Sequence, residues 1–323
     1  MDNIVVCQTN DMPDSEWLKY AESFNCVFEK NFTAEFFKKK YLARGESPSF
    51  HALLKSDTGT VAGACSAMPM TILNKDSKIR AALLVDVFIL KEHRTNPLTL
   101  MKMYRCLTQK LKECGIEAVL AVPNATAYTY WKNIVKFSDI GDLDYWVLPL
   151  KVGNVLKKFQ FINPLSKFVS SIMLSLSKLL AAFFKGKNHC PYSFSIETDC
   201  EYLKRRFPSD TYARAQRGDC EYCYRICDED GVSTAYLMYF MENSRRTLRA
   251  LNTAIEDIIG ENPDIVIYVG KIPFIESALL KLPRKLEPKR LPLMLDWLPE
   301  SGRPEGILDV QEWDFGLSNY DVR

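Results

Sequence analysis

Residues 83–107 place an arginine and two threonines between an apolar run, LLVDVFIL, and an amphipathic helical pattern. The first backbone N–H groups of a helix have no partner within the helix, and the helix dipole is positive at that end. A loop that leads from a strand into a helix N-terminus is therefore suited to an anion such as phosphate. Arg94 can pair with a phosphate through two parallel hydrogen bonds, and Thr95 and Thr99 add hydroxyl donors.

The alternative is that Asn96 and Pro97 only start the helix, because proline favours the first helical turn. Pro97 has no N–H to donate, and threonine does not reach the backbone conformations that are open to glycine. The loop itself contains no glycine. On these residues alone, both interpretations stay open.

The elements around this loop follow from the spacing of apolar residues. FHALLKS and TVAGACSAMPMTIL flank the turn signal DTG, which predicts an antiparallel hairpin. AALLVDVFIL predicts a buried strand, LTLMKMYRCLTQKLKECG a helix that stops at Gly115, and IEAVLAVP a second strand, so the three predict a parallel βαβ unit. A helix through ATAYTYWKNIV and a strand at DYWVLPL close the first half.

The second half repeats this order. CEYCYRICDEDGVSTAYLMYFME predicts two strands that turn at Asp230 and Gly231, followed by a helix in SRRTLRALNTAIEDIIGEN and a strand in PDIVIYVG. A helix in IPFIESALLKLP and strands in LPLMLDWLP and LDVQEWDF finish it. A repeat of roughly 150 residues predicts an α/β (α+β) protein of two domains, each with a mixed β-sheet flanked by helices.

We predict domains at residues 1–150 and 188–323, joined by a helical linker at residues 151–187. The linker contains no acidic residue, and its run FVSSIMLSLSKLLAAFF is 17 residues long. A bilayer span needs about 20 apolar residues. We therefore predict no transmembrane segment and favour a helix packed between the domains, with peripheral contact to a membrane surface as the alternative.

Composition narrows the classes of function. The net charge is only +2, which speaks against nucleic acid as a partner. The first residues lack a charged segment followed by a long apolar run, so we expect no signal peptide and a cytoplasmic protein.

The 10 cysteines are scattered and predict reduced thiols. CEYCYRIC has one CxxC motif without a second pair at zinc-binding spacing, so we predict a strand there and no metal site.

Several motifs together resemble the GNAT-type N-acetyltransferases. LKEHRTNPLTLM resembles the loop that binds the pyrophosphate of acetyl-CoA, with Arg94 at its first position, and AVPNATAYTYWKNIVKF resembles the second motif, with Asn124 at its Asn position. NFTAEFFKKKYLARGESPSFHALLKSDTGTVAGACSAMP resembles the N-terminal part of a two-domain subgroup. The segment from EYLKRRFPSD to EWDFGLSNYDVR resembles the degenerate second domain of that subgroup. The resemblance covers nearly the whole chain and implies two tandem GNAT-like domains.

The resemblance implies acetyl-CoA, or another acyl-CoA, as co-substrate in the N-terminal domain. Where the family has glycines in the phosphate loop, this chain has Thr95, Pro97 and Thr99. Backbone N–H groups of β-strand residues 87–89 would stabilise the oxyanion where this strand parts from the next one. The residues so assigned to the cofactor are Val87, Ile89, Arg94, Thr95, Asn96, Thr99 and Asn124.

Asp86 stands where many family members carry a glutamate that acts as general base. The alternative is that Asp86 faces solvent at a sheet edge or caps a loop. The family's general acid is a tyrosine, for which Tyr128 and Tyr130 are the candidates because Trp131 occupies the expected position. We favour Tyr130, although core packing is the common role of such aromatic side chains.

We therefore predict an N-acyltransferase that moves an acetyl or other acyl group from CoA to an amine of a small molecule, sugar or peptide. The alternative is a non-catalytic binding or scaffold protein with this fold, which the absent glycines favour. An aminoacyl transferase that uses charged tRNA is a third interpretation, poorly supported by a net charge of +2. The corresponding loop of the second half, with Ser244, Arg245 and Arg246, predicts a substrate-shaping or structural domain.

Overall fold

The computed structural model describes residues 3–42, 48–75, 77–94, 96–183 and 192–320. The chain divides into two compact units, and each unit takes segments from both halves of the sequence. Unit 1 consists of Met1–Asp142, Ser193–Arg206 and Leu291–Glu312, and unit 2 of Leu143–Tyr192, Phe207–Arg290 and Trp313–Arg323. Domain boundaries at residues 150 and 187 stay a prediction.

The helices are α1 (Asp14–Phe28), α2 (Ala34–Leu42), α3 (Thr99–Glu113), α4 (Ala125–Tyr130), α5 (Val152–Val155), α6 (Asn163–Phe183), α7 (Cys200–Arg206) and α8 (Leu248–Gly260). The strands are β1 (Asn3–Gln8), β2 (Phe50–Lys55), β3 (Val61–Asn74), β4 (Ser77–Ile89), β5 (Ala118–Ala121), β6 (Ser138–Asp142), β7 (Tyr145–Pro149), β8 (Phe194–Ile196), β9 (Ala213–Arg217), β10 (Cys220–Glu229), β11 (Val232–Glu242), β12 (Ile265–Val269), β13 (Leu280–Lys281), β14 (Pro292–Trp297) and β15 (Trp313–Asp314). Each unit contains one mixed sheet, so the predicted α+β fold class is confirmed.

The sheet of unit 1 runs in the order β1-β2-β3-β4-β5-β14-β6, with β8 added at the end of β3. The predicted hairpin is β2 with β3, and the predicted βαβ unit is β4, α3 and the parallel strand β5. Successive side chains of a strand point to opposite faces. Ala52 of β2 therefore packs in the cluster that contains Met103 and Leu107 of α3, whereas the ring of His51 meets that of Trp17 of α1.

Two strands pair differently from the sequence prediction. The DYWVLPL strand, β7, was expected to close the first half, but it pairs with β12 and β13 in unit 2. The last long strand, β14, lies between β5 and β6 of unit 1. A short apolar run identifies a strand, but it does not identify the strand's partner. This is why the positions of β7 and β14 were not predicted.

The sheet of unit 2 runs in the order β13-β7-β12-β11-β10-β9. Strands β10 and β11 turn at Asp230 and Gly231, both with positive φ, as predicted. Cys220 and Cys223 lie buried in β10, which confirms the predicted strand. α8 crosses from β11 to the parallel strand β12, and its fully buried Leu251 and Ile255 form part of the core.

The helix predicted in IPFIESALLKLP is wrong. The segment is irregular apart from β13, which pairs with β7. Lys271 is buried at its start, where the ammonium lies 3.3 Å from Asp144. A helix would remove the pairing of β13 with β7, and Pro273 already disfavours the helical conformation of the residue before it. The LDVQEWDF segment likewise forms only a 3-10 turn and the two-residue strand β15.

α6 extends the apolar run that was identified in the linker. Residues Gln160–Phe183 are 24 residues long and apolar enough to cross a membrane, by length and composition only. Of the most apolar 18-residue stretch in this range, 17% is buried. The packing of this segment between domains and the absence of a transmembrane segment both stay predictions. α6 packs on α8 and β7 within unit 2.

We expect β14 to be essential for the stability of unit 1, because Met294 is fully buried in the cluster under α3. Met294→Ala should lower the free energy of unfolding by about 2–5 kcal/mol, since the cavity adds to the lost apolar burial. Leu18→Ala, on the exposed face of α1, is the matched control and should stay within about 0.5 kcal/mol of wild type. Urea unfolding measures both, and equal values for the two variants would contradict the assignment.

Candidate functional site

A bulge in β4 sets the position of Asp86. In the ladder between β3 and β4, Ser66 faces Val85 and Ala64 faces Phe88, so β4 has one residue more than β3. Asp86 has a φ of 48°, which is uncommon for a residue other than glycine. The extra residue reverses which side chains of β4 point to each face of the sheet.

The reversal is visible on both faces of the sheet. Leu84, before the bulge, and Val87 and Ile89, after it, pack against the cluster under α3. Phe88 points to the opposite face, where its ring meets that of Tyr20 of α1. Asp86 shares this second face, because its contacts come from α2.

Two side chains of α2 hold the Asp86 carboxylate. The Tyr41 hydroxyl donates to Asp86 Oδ2 at 2.6 Å, and Lys40 Nζ lies 2.6 Å from the same oxygen. The Asp86 side chain is 0% exposed and that of Lys40 is 11% exposed. The alternative in which Asp86 faces solvent is therefore wrong. A buried charge of this kind is tolerated because a cation and a hydrogen-bond donor compensate it.

A chain of buried hydroxyl groups continues from Tyr41. The hydroxyls of Tyr41 and Tyr20 are 2.5 Å apart, and Tyr20 lies 3.3 Å from Ser66 Oγ. Ser66 Oγ is 2.9 Å from His51 Nδ1, and His51 Nε2 is 2.9 Å from Thr9 Oγ1. All of these side chains are buried. Thr9, Tyr20, Tyr41, His51 and Ser66 are called the hydroxyl–imidazole chain below.

The carboxylate fixes the direction of these hydrogen bonds. A carboxylate only accepts, so the single Tyr41 proton is directed to Asp86 and Tyr41 accepts from Tyr20. By the same rule Tyr20 accepts from Ser66, and Ser66 accepts the Nδ1–H of His51. His51 then accepts at Nε2, and the single Thr9 proton is shared between this nitrogen at 2.9 Å and the Ser49 carbonyl at 3.3 Å. The donors from His51 to Tyr41 thus point toward Asp86.

Burial sets the protonation of the aromatic members of the chain. Burial and the adjacent Asp86 charge raise the pKa of Tyr41 well above its ordinary value, so Tyr41 stays a phenol. Burial lowers the pKa of His51 from 6.5 to about 3, so the imidazole is neutral and can both donate and accept.

Beyond Leu83, β4 and β5 part. Their parallel pairing runs from Ala81 opposite Ala118 to Leu83 opposite Leu120, while β4 continues to Ile89. The Leu90 N–H donates to the Ala62 carbonyl of β3. N–H groups alternate in direction along a strand, so those of Val87 and Ile89 face away from β3, toward the side from which β5 has departed.

The loop after β4 is closed largely by its own hydrogen bonds. Arg94 Nε donates to the Ile89 carbonyl at 2.7 Å. Asn96 accepts the Leu98 N–H at its side chain, at 2.9 Å, and the Thr99 N–H at its carbonyl, at 3.1 Å. Thr99 is the first residue of α3 and is buried. Asn96 therefore starts the helix, as one of the two interpretations held, and Thr95 lies outside the described residues.

The remaining predicted residues lie around α4. Asn124 caps this helix by accepting the Ala127 N–H at 2.9 Å. The Tyr130 hydroxyl donates to the Pro97 carbonyl at 2.8 Å, which places it at the N-terminus of α3. Burial raises the pKa of Tyr130, while the nearby backbone of Met101 opposes that shift.

Tyr128 has different surroundings. Its hydroxyl donates to Asp139 of β6 at 3.0 Å and accepts from Lys132, also at 3.0 Å. Lys132 is also paired with Asp139. The two tyrosine candidates for the general acid thus differ in their contacts. Tyr130 contacts the loop before α3, and Tyr128 contacts an ionic cluster at β6.

Sequence analysis missed the residues that surround Asp86. Lys40 and Tyr41 stand in an exposed-looking KKKYL pattern, which gives no sign of burial. His51 did carry a signal, because it is the one polar residue inside the apolar run FHALL. A buried histidine needs hydrogen-bond partners, and these are supplied by Thr9 and Ser66, neither of which is adjacent in sequence.

Comparison with known proteins gives agreement in fold alone. No family model and no curated protein matches the sequence. Among solved structures, a GCN5-related N-acetyltransferase from Anabaena variabilis aligns with a TM-score of 0.57 and 14% identity, over 92% of this chain and 73% of that chain. Saccharomyces cerevisiae N-myristoyltransferase with bound myristoyl-CoA aligns with a TM-score of 0.56 and 13% identity, over 92% and 83%.

The chain has a tandem GNAT fold. A third match is a probable N-acyltransferase from Enterococcus faecalis, with a TM-score of 0.56 and 12% identity over 92% of this chain and 73% of that chain. The predicted fold of two GNAT-like sheets is therefore confirmed. The parting strands β4 and β5 belong to the first of these sheets, and α3 connects them.

We expect His51 to make the stability of the protein depend on pH. Between its ordinary pKa of 6.5 and the folded value of about 3, the unfolded chain binds a proton at His51 that the folded chain does not. The free energy of unfolding should therefore fall as the pH is lowered through this window, by up to about 1.4 kcal/mol per pH unit. His51→Gln keeps polar atoms but does not titrate, so urea unfolding from pH 7.5 to pH 4 should show a shallower slope. Equal slopes for the variant and wild type would contradict the assignment.

Proposed function

We propose that the protein is an N-acyltransferase that moves an acetyl or other acyl group from CoA to an amine. The observation that carries the proposal is the edge of β4 beyond Leu83, from which β5 has parted next to the buried Asp86. An extended thioester arm can lie along such an edge and accept backbone hydrogen bonds, as an added strand would. The acceptor amine belongs to a small molecule, a sugar or a peptide. The shared fold supports the same class of reaction, although a fold does not by itself establish a function.

Backbone groups of β4 stabilise the developing charge in this proposal. The N–H groups of Val87 and Ile89 face the parted edge, so both can donate to the oxyanion of the tetrahedral intermediate. The phosphates of CoA lie at the end of β4, near the Arg94 guanidinium and the first turn of α3. Leu100 supplies an N–H group there, and the helix dipole favours the negative charge.

Asp86 is the proton acceptor in the proposed reaction, and Lys40 connects it to the site. The Asp86 carboxylate is enclosed, whereas the Lys40 side chain reaches the surface. The Lys40 ammonium passes one proton to Asp86 and takes the proton that the attacking nitrogen releases. The C–N bond forms and the C–S bond breaks, and the departing thiolate takes a proton from an acid, for which Tyr128 and Tyr130 remain the candidates.

A second function, binding without acyl transfer, is favoured by one observation. Asn96 already occupies the N–H groups of Leu98 and Thr99, which a glycine-rich loop would turn toward the phosphates. Fewer backbone donors are then left for the pyrophosphate. In this second candidate function the protein keeps the fold and recognises an amine-bearing partner without the thioester.

Calorimetric titration with acetyl-CoA and with longer acyl-CoA separates the two functions. Leu98→Asp should weaken binding at least about tenfold, because a carboxylate at this helix N-cap repels phosphate while it stabilises the helix. Arg94→Ala should also weaken binding through the lost charge-assisted contact. Arg105→Ala, on the exposed side of α3, is the matched control and should bind as wild type does. Folded wild-type protein that binds no acyl-CoA would favour the second function.

Turnover tests the role of Lys40 and Asp86. Arginine keeps the positive charge but does not release its proton. Lys40→Arg and Asp86→Asn should therefore lower the turnover number by about 100-fold or more, with acyl-CoA binding retained. Lys39→Arg, on the exposed side of α2, is the control and should leave turnover unchanged. The assay follows release of the CoA thiol with a panel of amino sugars, polyamines and peptide N-termini, and full activity of Lys40→Arg would disprove the relay.

A further inference from the structure

The orientation of α6 is the reverse of that of an ordinary amphipathic helix. Its buried residues are Leu174 and two serines, Ser170 and Ser177, and the half-buried Ser166 lies on the same side. Ser166 Oγ donates to the Leu150 carbonyl at 2.9 Å, Ser170 Oγ to the Pro149 carbonyl at 2.8 Å, and Ser177 Oγ to Asn252 Oδ1 at 2.9 Å. The helix thus faces unit 2 with much of its polar side, whereas a surface helix usually turns its apolar side inward.

The outward side of α6 is a continuous apolar stripe. Its members recur at intervals of three and four residues, which places them on one face of the helix. Phe161 is 79% exposed and Phe183 is 75% exposed, and the other members of the stripe are exposed as well. The apolar stripe consists of Phe161, Leu165, Phe168, Ile172, Leu176, Leu179 and Phe183.

The two serines beside the stripe are already hydrogen-bonded within the helix. Ser171 Oγ donates to the Lys167 carbonyl and Ser175 Oγ to the Ser171 carbonyl, each at 2.9 Å. A hydroxyl that bonds back to the preceding turn does not require water as its partner. The outward side of α6 can therefore be taken out of water without leaving these two hydroxyls unsatisfied.

The segment that carries the stripe is rich in lysine, and one of these lysines, Lys178, pairs with Glu256 of α8. Residues 151–187 contain six further lysines after Lys151 and no acidic residue. Lys157 and Lys158 are exposed next to the N-terminal end of α6, beside the exposed Phe159. Apolar and aromatic side chains flanked by lysines form the pattern of a helix that binds the interface of an anionic membrane.

We propose that α6 docks the protein on an anionic lipid membrane, with the helix lying in the plane of the interface and the apolar stripe inserted among the lipids. Residues Gln160–Phe183, which include α6, are together long enough for a span. However, the hydrogen bonds of Ser166, Ser170 and Ser177 keep one side of the helix on unit 2, and a spanning orientation would break them. A second copy of the chain is a poor occupant, because a two-fold contact along this helix would bring its lysines close to those of the copy.

Flotation with lipid vesicles tests the proposal on the full chain. Wild type should bind vesicles of phosphatidylcholine with 30% phosphatidylserine, and at least about tenfold more weakly vesicles of phosphatidylcholine alone, because each basic residue near the surface adds to the attraction. Replacing Phe168, Ile172 and Leu176 together by glutamine should reduce binding to the anionic vesicles at least about tenfold, through the lost apolar insertion. Glutamine keeps the helix, and all three positions are exposed.

The control is Ile275→Gln, which replaces a side chain that is 99% exposed outside α6 and should leave vesicle binding unchanged. Alkaline carbonate should release the bound protein, and retention would show a spanning helix and overturn the in-plane orientation. Absence of vesicle binding by monodisperse wild type would overturn the proposal. It would also be overturned by a wild-type dimer that the triple variant abolishes, because the stripe would then be an interface between two copies.

Discussion

The buried contact between Asp86 and Lys40 is the constraint on which the arrangement of unit 1 depends. A carboxylate withdrawn from water is costly unless a cation and hydrogen-bond donors surround it, so α2 has to dock with Lys40 and Tyr41 above the bulge of β4. The rings of Tyr20 and Phe37 pack against each other and fix α2 to α1. The helices, the bulge and the charge are therefore interdependent, and none of the three has this position without the other two.

The bulge also links this buried polar group to the edge of β4 beyond it. With the extra residue, Val87 and Ile89 turn to the side of α3, and their N–H groups face the side from which β5 departs. The hydroxyl–imidazole chain adds rigidity on the opposite face, because hydrogen bonds that point toward one charge polarise one another. One strained residue with positive φ thus determines both the polar interior and the exposed strand edge.

The local elements of this fold could be predicted, whereas their long-range partners could not. The apolar runs of β2, β3 and β4 and the helical spacing of α3 are properties of short stretches, and the structure contains all four elements there. The resemblance in LKEHRTNPLTLM led to the correct fold, but Asn96 closes that loop in a way that residue types do not reveal. Lys40, Tyr41 and His51 are brought to Asp86 and Ser66 by tertiary packing. For IPFIESALLKLP, pairing of β13 with β7 overrode the helical pattern.

The position of β14 has a consequence for biosynthesis. The nascent chain emerges N-terminus first, so β5 and β6 leave the ribosome about 150 residues before the strand that separates them, a delay of several seconds or more at typical elongation rates. During that interval the sheet of unit 1 has two unfilled edges, which are prone to pair with other extended segments. A recombinant fragment that ends near residue 150 would keep these edges permanently, so expression of the first half alone should yield an aggregating chain instead of an isolated domain.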